Sequence, residues 1–264
     1  MSGLDLSIVI PAFKEAHKIP ADIAAADEFL TRAGLKGEII LVNDGSTDAT
    51  LETARALQAQ YPRLAVLSYR ENRGKGHALK LGMNYASGRF LMFADAGLCV
   101  PYDIARIALT MLELDMCDIA HGSRRMRGSV KREQPLYRRL GARAFALLIH
   151  TVVGVPRSIS DTQCGFKLYR RAVAKRLYSE LVTDGFMFDV EIILRALQDG
   201  YRILEFPVLW TNDADTRMNP MTDSGKFLRD LAAMRLALAR GTLAKPPETV
   251  EIYSAMGLPD AAEA

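Results

Sequence analysis

The chain has 264 residues, 49% of them hydrophobic and 25% charged, a balance that excludes a disordered or fibrous protein and supplies ample core for one large α/β domain. A formal net charge of only +3 gives no argument for a nucleic-acid partner, although local basic clusters can still meet phosphates. Three cysteines without metal-ligand spacing, Cys99, Cys117 and Cys164, read as free thiols in a reducing compartment. The opening MSGLDLSIVIPAF has no cationic segment before its apolar run and does not read as a signal peptide. No run reaches the roughly 20 apolar residues that span a bilayer, so the expectation is a cytoplasmic protein, at most peripheral to a membrane.

Residues 6–10, LSIVI, form a β-branched run closed by Pro11, as a strand buried on both faces requires. An amphipathic helix over 19–33 ends at Gly34, and a second apolar run, 38–42, stops at Asn43, Asp44, Gly45 and Ser46. Thr47 or Asp48 can cap a helix over 49–60. A strand over 64–69, a helix over 75–86 and a strand over 89–94 continue the alternation, which specifies a mostly parallel sheet flanked by helices with right-handed crossovers. Beyond Pro101 the pattern predicts a helix to about Leu114, a strand over 118–122 and a basic linker over 124–132. Residues 141–153 are apolar but too short to span a membrane, and suit either a core helix or an interfacial one. A strand over 166–169, helices over 172–181 and 189–198, a strand over 202–206, a polar stretch over 212–224 and a last helix over 226–239 follow. Residues 1–242 are expected to form a single domain, with 243–264 a poorly ordered tail.

Three strand ends would share the carboxyl edge of such a sheet, where open α/β sheets bind ligands. They are Pro11, Ala12, Phe13, Lys14 and Glu15 after the first strand, Asp44 after the second and Asp95 after the fourth. A carboxylate at the second strand end can accept hydrogen bonds from a ribose or base, and one at the fourth can hold a divalent cation that neutralises a diphosphate. Each is also what a turn or helix cap requires; their coincidence at successive strand ends favours a nucleotide-diphosphate ligand. The segment ENRGKG at 71–76 lacks Walker spacing, but it precedes a helix, where backbone N–H groups, Arg73 and Lys75 can face an anion.

The ordered set IVIPAFKEA, VNDGSTDAT, ENRGKGHALKLGM and FADAG resembles family 2 glycosyltransferases of the GT-A (Rossmann-like) fold. DTQCGFKLYRR at 161–171 and FMFDVEIILRA at 186–196 extend the likeness to the polyprenyl-phosphate glycosyltransferases, dolichyl-phosphate glucosyltransferases above all. The resemblance covers about Leu6 to Leu238 and implies transfer of a hexose, glucose or mannose, from a UDP-sugar or GDP-sugar to a polyprenyl phosphate, with inversion. It further implies that Pro11, Ala12, Phe13, Glu15 and Asp44 bind base and ribose, and that Lys75 contacts the nucleotide. Asp95 would hold a divalent metal, Mg²⁺ or Mn²⁺, and Arg124 would contact phosphates, with Arg138 and Arg139 as further candidates. Asp161, Gln163 and Lys167 would lie near the transferred sugar, and Cys164 would pack.

The chain departs from the family at one place. The family's metal-binding motif is Asp-x-Asp, whereas this chain reads Asp95-Ala96-Gly97, and glycine offers no side-chain ligand. Metal held by Asp95, diphosphate and water is weaker; Asp213 and Asp215 could supply the missing carboxylate, or the protein could be a non-catalytic nucleotide-sugar binder. A soluble acceptor is a further alternative. No general base is evident, and a phosphate monoester needs none, being largely ionised near neutral pH with a second pKa of about 6; for a hydroxyl acceptor, Asp161 would be the candidate base. His17, His77, His121 and His150 do not cluster and receive no role.

Overall fold

A computed structural model of the chain describes residues 3–126, 129, 149–211 and 251–254. The expectations for Arg138, Arg139, Asp213, Asp215, the helix over 226–239 and most of the apolar segment 141–153 lie outside the described residues.

The centre of the sheet is β1 (Leu6–Ala12), which pairs in parallel with β2 (Gly37–Asp44) on one side and β4 (Phe90–Ala94) on the other; β3 (Leu64–Tyr69) extends the parallel run beyond β2. Side chains alternate across a strand, so Leu6, Ile8 and Ile10 enter one core with α1 (Ile19–Arg32), α2 (Thr50–Leu57) and α4 (Ala105–Glu113). Val9 enters the opposite core with α3 (Lys75–Tyr85), α5 (Arg171–Ser179) and α6 (Phe188–Gln198). Helices on both faces are why these strands are uniformly apolar rather than alternating.

The full strand order is β7-β5-β6-β4-β1-β2-β3-β8, with β5 (Ile119–Ser123), β6 (Phe166–Arg170), β7 (Ile203–Pro207) and β8 (Glu251–Ser254). Within the segment expected to form a tail, β8 lies antiparallel on β3. β5 and β7 are parallel to each other, but β6 runs antiparallel to both of its neighbours. That reversal shapes the site: Ala94, the last residue of β4, pairs with Phe166, the first of β6, so the segment leading into β6 arrives at the same sheet edge where β4 ends. Of the apolar segment 141–153, the described residues Ile149–Val153 form one π-helical turn, and Ile149 and Val153 pack with Met187, Val190 and Ile193.

Candidate active site at the carboxyl edge of the sheet

The ends of β1, β2, β4 and β5 and the entry to β6 bring Glu15, Asp44, Asp95, Arg124 and Asp161 to one edge of the molecule. The β1 exit is tied to the β2 exit by two bonds, from the Lys14 amide to Ser46 Oγ (2.9 Å) and from the Glu15 amide to Thr50 Oγ1 (2.9 Å). Asp44 organises the loop that follows β3. Its carboxylate accepts from Tyr69 Oη (2.8 Å), Asn72 Nδ2 (2.8 Å) and the amides of Arg73 (2.8 Å) and Gly74 (3.0 Å). A carboxylate with this many donors fixes backbone shape.

The sequence suggests that the first N–H groups of α3 face an anion, but those of Gly76 and His77 are taken up within the chain. The Asp184 carbonyl accepts from the amides of Gly76 (2.7 Å) and His77 (3.3 Å), because the segment before α6 folds over the helix start. Glu191 of α6 holds that segment by accepting from the amides of Val182 (3.0 Å) and Thr183 (2.8 Å). What remains toward the site is Lys75, whose ammonium ion-pairs with Asp95 and lies 5.6 Å and 5.7 Å from the ring centroids of Phe93 and Phe188. Burial alone would depress the Lys75 pKa; the nearby Asp95 and Asp189 outweigh it and raise the value.

Beneath this pair lies a second, between Lys167 and Asp189, both almost wholly buried. Lys167 also donates to the Thr162 carbonyl (3.2 Å) and lies 5.5 Å from the Phe93 ring centroid. Phe93 thus carries an ammonium group near its ring from each pair, an arrangement its quadrupole favours. Burial raises the Asp189 pKa against the pull of Lys167 and Lys75.

Arg124 and Asp161 form a bidentate pair, Nε to Oδ2 at 2.7 Å and Nη2 to Oδ1 at 2.8 Å, with the Arg124 amide adding a third bond at 2.9 Å. Burial works against the ionised Asp161, but the hydrogen bonds and charge of Arg124 prevail and hold its carboxyl well below the usual range. The guanidinium lies 5.5 Å from the Trp210 ring centroid. Glu205 of β7 fixes the backbone here, accepting from the amides of Ser160 and Asp161 (both 2.9 Å) and from Ser160 Oγ (2.7 Å). The buried side-chain Nε2 of Gln163 has no hydrogen-bond partner among the described residues. Gly165 sits against the Asp95 carboxylate: a Cβ there would lie 2.0 Å from Oδ2. Cys164 is buried, which pushes its thiol up to about 12.

The turn after Asp95 is held from α1 by Asp22. Gly97 and Leu98 both have positive φ, 99° and 50°, and their amides donate to the two oxygens of Asp22 at 2.8 Å and 2.9 Å. Asp22, on α1, is 0% exposed; burial pushes its carboxyl up to about 6 in spite of the two amide donors. Among the described residues, no group of three or more His, Cys, Asp or Glu side chains could hold a metal. Asp95, directly after β4, is paired with Lys75. Asp22, Asp189 and Glu205 were not singled out in the sequence. Each is an acid in a helix's first turn or a strand, and only the register of distant elements reveals its task.

Residues 7–178 match the family model of glycosyl transferase family 2, and the chain belongs to that family. Among curated relatives it is 33% identical to the dolichyl-phosphate beta-glucosyltransferase of Saccharomyces cerevisiae over 254 residues, covering 89% of this chain and 75% of the yeast protein. It is 34% identical to the Drosophila melanogaster protein of the same name, covering 87% of this chain and 74% of the relative. Among solved structures, the glucosyl-3-phosphoglycerate synthase of Mycobacterium tuberculosis, in complex with Mn²⁺, UDP and glucosyl-3-phosphoglycerate, aligns with a TM-score of 0.65 at 18% identity. That alignment covers 98% of this chain and 82% of the mycobacterial one, and establishes the GT-A fold.

Proposed function

We propose that the chain transfers a hexose, glucose in the first instance, from a nucleotide-diphosphate sugar to a dolichyl-type polyprenyl phosphate with inversion. The observation that carries this reading is the antiparallel entry of β6, which brings Gly165 against Asp95, itself paired with Lys75, in a chain a third identical to dolichyl-phosphate beta-glucosyltransferases. Pro11, Ala12, Phe13 and Glu15 border the base and ribose, while Asp44 shapes the adjoining loop. Lys75 meets the diphosphate, and Arg124, held by Asp161, meets the phosphate of donor or acceptor with its remaining N–H donors.

The acceptor phosphate is already an anion near neutral pH, so its oxygen attacks the anomeric carbon as the bond to the diphosphate breaks, and no proton is removed from the nucleophile. Positioning and charge compensation are therefore the main tasks of these side chains. Asp95, with diphosphate oxygens and with Asp213 or Asp215, would hold a divalent cation, Mg²⁺ or Mn²⁺, which would neutralise the leaving diphosphate. Among the described residues no helix is long and apolar enough to cross a membrane; we assign the protein to a membrane surface, where the lipid acceptor lies. Gly97 favours a second reading, a non-catalytic binder of nucleotide sugars.

Calorimetric titration with UDP-glucose and GDP-mannose, with and without Mn²⁺, tests the donor half. UDP-glucose is expected to bind more tightly with Mn²⁺ present. Absence of binding by either sugar nucleotide would remove both readings.

A further inference from the structure

Two consecutive residues with positive φ at 97 and 98 point their amides into one concavity, the kind of backbone nest that binds anions. Here the anion is supplied by the protein itself: Asp22 Oδ2 accepts from Gly97 and Oδ1 from Leu98. We propose that Asp22 is a positioning residue for donor binding: from α1 it fixes the turn that follows Asp95, and through that turn it holds Asp95 in register with Lys75 and the incoming diphosphate. The proposal rests on the donor reading above and names a residue that acts on it.

Three observations converge. Leu98 at φ 50° is a conformation that non-glycine residues seldom adopt, and such a backbone persists where surrounding contacts over-determine it. The contacts are present on both sides of the turn: Asp22 takes the amides of 97 and 98, and the Cys99 carbonyl accepts from the Thr211 amide at 2.8 Å. Asp95 itself is anchored by its amide to the Gly165 carbonyl at 3.0 Å, so Asp22 governs the side of the motif that β6 does not.

The position of Asp22 in α1 is also informative. Ile19, Ile23 and Ala26 of α1 pack into the apolar core, and Asp22 is as fully buried as they are. Burial raises its carboxyl to about 6, so packing alone gives no reason for an acid here, and an apolar side chain would avoid the desolvation. The two amides do give a reason. Glycine at 97 and aspartate at 22 belong together: the first permits the backbone conformation, and the second neutralises the two N–H groups which that conformation turns inward.

The test compares Asp22→Ala and Asp22→Asn with wild type in calorimetric titration with UDP and in steady-state transfer assays that vary donor and acceptor separately. Loss of both charge-assisted bonds in Asp22→Ala is expected to weaken UDP and raise the donor KM by about tenfold, with the acceptor KM unchanged. Asp22→Asn keeps one acceptor oxygen for one of the two amides, so it should fall between, at about threefold. A variant that is merely less stable would lose melting temperature while keeping wild-type donor KM and UDP affinity in its folded fraction, and that result overturns the proposal. Should Asp22→Ala not fold, Asp22→Asn decides: a donor KM equal to wild type overturns it. Failure of the wild-type chain to bind UDP would overturn the donor reading and this proposal with it, whereas normal UDP binding, unchanged in both variants, overturns the role of Asp22 alone.

Discussion

With φ at 99°, position 97 cannot take the family's second metal carboxylate without strain. Gly97→Asp is therefore expected to destabilise the fold by about 1–3 kcal/mol and to leave Mn²⁺ affinity unimproved, as read by chemical denaturation and calorimetry. A clear gain in Mn²⁺ affinity would mean that the turn relaxes and that the site has merely lost a ligand. Lys75→Ala removes the cation paired with Asp95; it should lower UDP affinity about 10- to 100-fold in low salt, and unchanged affinity would take Lys75 out of the diphosphate site. Asp22 has a stability signature of its own. Its native carboxyl is raised to about 6 from 3.8, so between those values the native state binds more protons than the unfolded one. Stability from this group is thus highest below pH 4 and declines as pH rises through 6, by on the order of 3 kcal/mol. Asp22→Asn should flatten that part of the stability–pH curve, and an unchanged slope would contradict the assignment. Asp95 was legible because it ends a strand run and Lys75 because it opens a helix, whereas Arg124 and Asp161 were legible from the likeness of their motifs to the family's. Asp22 and Asp189 were not, since an acid in the first turn of a helix is ordinary on dipole grounds alone.

Among the elements, the sequence made β1 to β4 and their helices plain through alternating apolar runs and turn residues, but it did not show that β6 runs antiparallel. A five-residue strand such as FKLYR carries no direction; direction is set by its connection, and here the connection from β5 is long. The cover over α3 was hidden for a similar reason, because nothing local in ENRGKG shows that Asp184 will supply its carbonyl to the helix start. Gly76 is where that cover touches: a Cβ there would lie 2.3 Å from the Thr183 carbonyl oxygen and 2.8 Å from Phe188 Cβ. Gly76→Ala is expected to push the segment before α6 off the helix start, costing about 1–3 kcal/mol of stability and weakening UDP binding. Wild-type denaturation and UDP affinity would show that the contact yields freely.

For the molecule as a whole, membership of glycosyltransferase family 2 was legible from ordered motifs, since each falls at a sheet-edge loop where the fold needs it. The acceptor is read from the likeness to dolichyl-phosphate beta-glucosyltransferases, and an ionised phosphate suits a site that positions rather than deprotonates. We expect the protein to sediment with anionic liposomes at low salt and to be released as salt rises, because basic side chains at 131, 132, 138, 139 and 143 flank the apolar segment 141–153. Absence of sedimentation at low salt would favour a soluble acceptor. The most direct measurement is transfer from UDP-glucose, in the presence of Mn²⁺, to a dolichyl-type polyprenyl phosphate, with a soluble sugar acceptor run in parallel. The account predicts a glucosyl polyprenyl phosphate of inverted anomeric configuration and no transfer to the sugar hydroxyl. Tight UDP-glucose binding without any transfer, or transfer to the soluble acceptor alone, would contradict it.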